Sequence, residues 1–138
     1  MPTDFPERCE KIEECYEFML AYAGQGLPRD QGSHTGAQVR DFLQSAGKAM
    51  EGLAESCEAA VAEDGVKLPE TAFVAVLRRD AQDSLAMFTM VLAQPAISSQ
   101  LIDNLNASIH LRALLTDMFL VGEILRSRSH VADMSGRA

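Results

Sequence analysis

The chain has 138 residues, a length that fits one domain and buries a core without help from disulfides or metal. Apolar residues make up 47% and charged residues 23%, which is too apolar for a disordered chain. The net charge of −8 opposes phosphate backbones and anionic membrane surfaces, so neither nucleic acid nor membrane is an expected partner. Alanine (19) and leucine (15) far outnumber valine (8) and isoleucine (5). Straight-chain and small apolar side chains lose little freedom in a helix, whereas β-branched ones lose χ1 freedom, so the composition predicts an all-α fold.

The first predicted helix covers about 5–23. Asp4, Pro6 and Glu7 make a capping-box-like start. Phe5, Cys9, Ile12, Tyr16, Met19 and Ala23 recur every three or four residues, which commits one face to a core. Gly24 to Pro28 ends it. Residues 24–36 then read as a long Gly/Pro/Ser loop. A second helix follows over about 36–63, with Ser33 or Thr35 as its cap and Val39, Phe42, Leu43, Ala46, Met50, Leu53, Cys57 and Val61 on its apolar stripe. Gly47 and Gly52 cost about 1 kcal/mol each against Ala inside a helix, and a close helix–helix approach is the expected compensation.

A turn at 64–69 leads to a third helix over about 69–94, closed by Pro95. The fourth runs over about 98–126, and 127–138 is expected to be a short, frayed, flexible tail. Helices of similar length with short joins predict an antiparallel four-helix bundle forming a single domain over 1–126, with the long Gly/Pro-rich loop between helices one and two. Apolar residues of the fourth helix point in almost every direction. A helix apolar all round is buried all round, yet no helix of such a bundle is central. Part of this surface should therefore meet a second copy, a partner protein, or the 24–36 loop or the tail folding over it. The expected contact residues are Leu111, Leu114, Leu115, Met118, Val121 and Leu125.

Few residues invite chemistry. Cys9, Cys15 and Cys57 lack zinc-like spacing and read as free thiols in a reducing compartment. The N-terminus lacks the basic and apolar regions of a signal peptide, and no stretch approaches ~20 uncharged apolar residues, so a cytoplasmic protein is expected. A di-iron site needs Glu-x-x-His motifs; His110 has Ala107 three residues before it, and no metal or other cofactor is expected. Histidine phosphotransfer domains are also four-helix bundles, but their pattern puts a basic residue three after the histidine and a glycine four after. Here Arg112 is two after, Ala113 three and Leu114 four, so the register fails. The sequence has no phosphate-binding loop and no nucleophile elbow.

Asp80 is as far before Pro95 as His110 is after it, and Arg78 mirrors Arg112 likewise. If the third and fourth helices pack antiparallel about Pro95, Asp80 meets His110 or Arg112 in a semi-buried polar cluster. Such a cluster would fix register or anchor a small molecule, with Phe88, Met87 and Phe119 as walls. The principal expectation is a non-catalytic accessory or regulatory module that binds a partner protein or itself, a homodimer being the simplest form. The alternative is a small-molecule or enzymatic site around Asp80, His110 and Arg112, and the phosphotransfer carrier is the weakest reading. The charge is unevenly placed: residues 1–66 carry 13 acidic and five basic side chains, and 67–138 carry seven of each.

Overall fold

A computed structural model describes residues 4–63 and 68–136, with side chains to Arg128. It is all-helical, with no strand among the described residues: α1 (Phe5–Ala23), α2 (Gly36–Glu51), α3 (Leu53–Ala62), α4 (Leu68–Leu92), α5 (Ser99–Asn106) and α6 (Ile109–Gly136). The first three residues, most of the predicted turn at 64–69, and 137–138 lie outside the described residues.

α1 begins and ends where the sequence places it and buries Phe5, Ile12 and Met19 of the expected stripe, but its buried face turns toward Cys15 and Tyr22, leaving Cys9, Tyr16 and Ala23 partly buried. The capping box does not form. Asp4 makes no side-chain cap bond; its carboxylate instead accepts from Arg8 Nε at 2.8 Å. The cap of α2 falls to Ser33, whose Oγ accepts from the Gly36 amide at 2.9 Å. Phe18 of α1 stacks on Phe42 of α2 with ring centroids 4.3 Å apart.

The helix expected over 36–63 is interrupted at Gly52. Arg8 accounts for the interruption. Its Nη1 donates to the carbonyls of Lys48 and Ala49 at 3.1 and 3.2 Å, which are among the carbonyls a helix end leaves without partners. A Cβ at Gly52 would stand about 2.6 Å from the guanidinium. Gly52 thus makes room for a capping cation rather than for a neighbouring helix. Gly47 does meet a neighbour: a Cβ there would touch Leu85 of α4 at 3.4 Å.

The helix expected over 98–126 is likewise two helices. Ser98 caps α5 by accepting from Leu101 N at 3.0 Å. Asn106 then turns inward and donates to the Met19 carbonyl of α1 at 3.1 Å. Ser108 restarts the chain as α6, its Oγ accepting from the His110 amide at 3.2 Å. α5 packs on α1, whereas α6 packs mainly on α4. At its far end α6 continues helical to Gly136, where the sequence predicts a frayed tail from 127.

Residues 24–35 do not lie over α6. They are bonded to the α4–α5 connection. Asp30 accepts from the Ile97 amide through Oδ1 and from Arg40 Nε through Oδ2, both at 2.8 Å. Arg40 also donates to the carbonyls of Leu92 and Gln94 at 3.0 and 2.9 Å. The Tyr22 hydroxyl donates to the Ile97 carbonyl at 2.6 Å. Ser99 donates through Oγ to the Tyr22 carbonyl at 2.7 Å and accepts there from the Leu27 amide at 2.8 Å. This clasp joins both ends of the loop to the close of α4 and the start of α5. Gly36 is required by it, because a Cβ there would collide with the Asp30 carbonyl.

Candidate functional site

α4 and α6 run in opposite directions. Arg128 of α6 pairs with Glu70 at the start of α4, Ser84 donates to the His110 carbonyl at 3.2 Å, and Ser108 donates to Met87 Sδ at 3.1 Å. These pairs are centred near residue 98 rather than Pro95, because α5 occupies the connection. That shift takes apart the cluster expected from the sequence.

Asp80 lies against Asp117 of α6. The His110 Nδ1 stands 3.7 Å from Asp83 Oδ2, with both side chains about half exposed. Arg112 is exposed and donates through Nε to the Asn106 carbonyl at 3.3 Å, so it caps α5. Arg78 reaches α3, pairing with Glu55 at 2.7 Å and Glu58 at 3.4 Å. Phe88 is fully buried, Met87 is engaged with Ser108, and Phe119 is exposed. The three polar anchors thus have three different partners, and Phe88 and Phe119 lie on opposite sides of the surface, one buried and one exposed. A groove of about 300 Å³ does exist elsewhere, lined by Asp4, Glu7, Arg8, Lys11, Ser45, Lys48 and Ala49.

Asp117 stands seven residues after His110, too far along the helix to bond it, and faces α4. It is 8% exposed, and its Oδ2 is buried without a hydrogen-bond partner. Burial, then a hydrogen bond and charge repulsion from Asp80, push its carboxyl up to about 7. Two carboxyl groups facing each other across a helix seam favour sharing one proton. The available signal was the seven-residue spacing from His110 to Asp117 on the α4-facing side, which becomes informative only with the correct register.

The cysteines are unsuited to nucleophilic work. Burial pushes Cys15 up to about 12 and Cys57 to about 11; burial, then Glu13 and Cys57, push Cys9 to about 12. All three stay protonated near neutral pH, and the thiolate is the reactive form. Among the described residues no three His, Cys, Asp or Glu side chains group as metal ligands, and no helix is long and apolar enough to cross a membrane.

The surface of α6 divides into two arcs. Leu111, Leu114, Leu115, Met118 and Val121, expected as the outward contact residues, are buried in the core of this chain, and Leu125 is packed against it. The exposed apolar residues of α6 lie on the opposite arc, where Ile109 is 75% exposed, Phe119 56%, Leu120 53% and Ile124 38%. At 100° per residue Ile109, Ala113, Leu120 and Ile124 form one stripe. His110 and Asp117 lie on its α4 side, and Arg112, Glu123 and Phe119 on the other. Neither the 24–35 loop nor the end of α6 folds back over the stripe. Comparison of the chain with protein-family models, curated proteins and solved structures finds no match.

Proposed function

We propose that this chain is a non-catalytic accessory or regulatory module that works by binding a partner protein or itself through the outer stripe of α6. The observation that carries the reading is the exposure of Ile109, Phe119, Leu120 and Ile124 on one helix. Scattered exposed apolar residues are ordinary on a protein surface, but three aligned along one helix with an aromatic ring beside them mark a contact surface. The dispersal of Asp80, His110 and Arg112 among separate partners removes the constellation on which a catalytic or ligand-binding reading rested.

In this reading α1, α2 with α3, α4, and α5 with α6 act as the four rods of an antiparallel bundle. The packing of α1 on α2, of α2 and α3 on α4, of α4 on α6 and of α5 on α1 supports that arrangement. The acidic residues of α1 and α2 form a second, charged flank. Glu13 illustrates its self-repulsion: burial first, then Glu17 and Glu10, raise its pKa. A flank under such strain favours basic surfaces nearby. Three protonated, unpaired thiols fit a reducing cytoplasm.

A photo-crosslinking amino acid placed at Phe119 tests the reading, with the same group at exposed Gln44 of α2 as control. Adducts that form in the source cells from position 119 and not from 44 are expected. Equal yields from both positions, or none from 119, would remove the basis for an α6 contact surface.

A further inference from the structure

The stripe on α6 has a symmetry that names its occupant. Ile109 and Ile124 stand equally far from the point between Thr116 and Asp117, and so do Ala113 and Leu120. Arg112 and Glu123 are centred within one residue of the same point, and both lie on the flank away from α4. When two helices pack antiparallel about a two-fold axis, like flanks meet. A second α6 laid on the first about that point would set Ile109 over Ile124 of the second copy and Leu120 over its Ala113. It would also bring each Arg112 to the other copy's Glu123. Both charged side chains are exposed and able to reach across. Among the described residues Arg112 donates to a backbone carbonyl, and Glu123 pairs with its neighbour Arg126 at 2.7 Å.

The geometry points to a second copy of this chain as the occupant, docked by α6 against α6 in an isologous, antiparallel pair. This rests on the reading of the α6 stripe as a contact surface and adds what covers it. The apolar residues give the seam its burial, and the two Arg112–Glu123 contacts set direction and register, as flanking charges do in coiled coils. A parallel two-fold pairing would set unlike flanks together, leaving Arg112 and Glu123 on the opposite side of the seam from their counterparts in the second copy, so the two could not meet. Asp117 does not oppose the contact, because it is turned toward α4 and buried there. From Ile109 to Ile124 the seam is about 22 Å long at 1.5 Å rise per residue. A contact of that length lies at the small end of specific interfaces, so association is expected in the micromolar range.

The test is the molar mass of the purified full chain between about 5 and 300 µM, by sedimentation equilibrium, for wild type and four variants. The wild type is expected to pass from 15.0 kDa toward twice that mass. Leu120→Lys and Ile124→Ser should weaken association at least about 100-fold, and Arg112→Glu about tenfold, since each dimer holds two such contacts. The double variant Arg112→Glu with Glu123→Arg should return to within about threefold of wild type, because the reversed charges again meet. Helical circular dichroism of each variant separates misfolding from dissociation, and Ile124→Ser stands in should Leu120→Lys not fold. A mass of 15.0 kDa throughout overturns the self-docking, while adducts to another protein from position 119 would still support the contact surface. A dimer indifferent to both apolar substitutions, or one that the charge exchange fails to restore, overturns the antiparallel α6 seam.

Discussion

Replacing Asp117 by Asn should stabilise the protein at pH 8, and progressively less as the pH falls toward 4. The native carboxyl titrates at about 7, whereas an aspartate in the unfolded chain titrates near ~3.9. Between about pH 4 and 7 the native state therefore holds a proton that the unfolded state has released, and stability falls as pH rises through that window. At ~1.4 kcal/mol per pH unit the ionised form carries at most ~4 kcal/mol of destabilisation. Asp80 is half-buried rather than enclosed, so solvent screening reduces this to about 1–3 kcal/mol. Asparagine has nearly the same shape, and its amide can donate to Asp80 as the shared proton does. Urea unfolding of wild type and Asp117→Asn at pH 5, 6, 7 and 8 checks this, with the difference between the two proteins cancelling every other titrating group. The variant should gain about 1–3 kcal/mol at pH 8 and keep only about a third of that gain at pH 5. A difference independent of pH, or a variant that is worse at pH 8 than at pH 5, would refute the carboxyl pair as the source.

The clasp offers a change of opposite sign. Burial raises the Asp30 carboxyl, but hydrogen bonds from Arg40 and the Ile97 amide outweigh it and leave the pKa lowered. Its stabilisation is thus present above the unfolded value and lost as pH falls through the folded one; Asp30→Ala should cost about 2–4 kcal/mol at pH 7 by denaturant unfolding, since Arg40 and the Ile97 amide lose their acceptor. Tyr22→Phe leaves the Ile97 carbonyl without its donor and should cost about 1–2 kcal/mol in the same assay. Gly52→Ala should lower the thermal midpoint although alanine is the better helix former, because its Cβ displaces Arg8 from the end of α2; a raised midpoint would show that the guanidinium has room to move.

Much of the architecture was legible in the amino-acid pattern. The stripe from Phe5 to Ala23 sets the length of α1 and the Phe5, Ile12 and Met19 part of its buried face, since spacing alone decides which side of a helix is apolar. Pro95 and Gly24 end helices because one removes a donor and the other removes a side chain. The pattern could not place the two interruptions. Gly52 reads as a tolerated defect until Arg8, 44 residues earlier, is seen to need its space. Asn106 and Ser108 are unremarkable inside an apolar run, and only the Met19 carbonyl and the α6 cap give them a purpose.

That second interruption governed the rest. With one unbroken helix from 98, the turn centres on Pro95 and Asp80 faces His110. With α5 inserted the pairing slides, Asp80 faces Asp117 and His110 faces Asp83. The same step reassigns inside and outside. Leu114 and Met118 go to the core, Leu120 and Ile124 to solvent, and periodicity could not decide between them because both arcs of α6 are apolar. The exposed apolar residues of α6 lie in the neutral half of the chain, on the arc opposite to Leu111, Leu114, Leu115, Met118 and Val121.

If the outer stripe of α6 meets a second copy of the chain, its methyl groups change surroundings on association. Methyl spectra of the isotopically labelled chain, recorded across a dilution series from about 300 to 5 µM, test it most directly. Concentration-dependent shifts are expected at Ile109, Leu120 and Ile124, with the buried methyls of Leu111 and Leu114 unmoved. Spectra that do not change with concentration, or changes confined to methyls off α6, would contradict it.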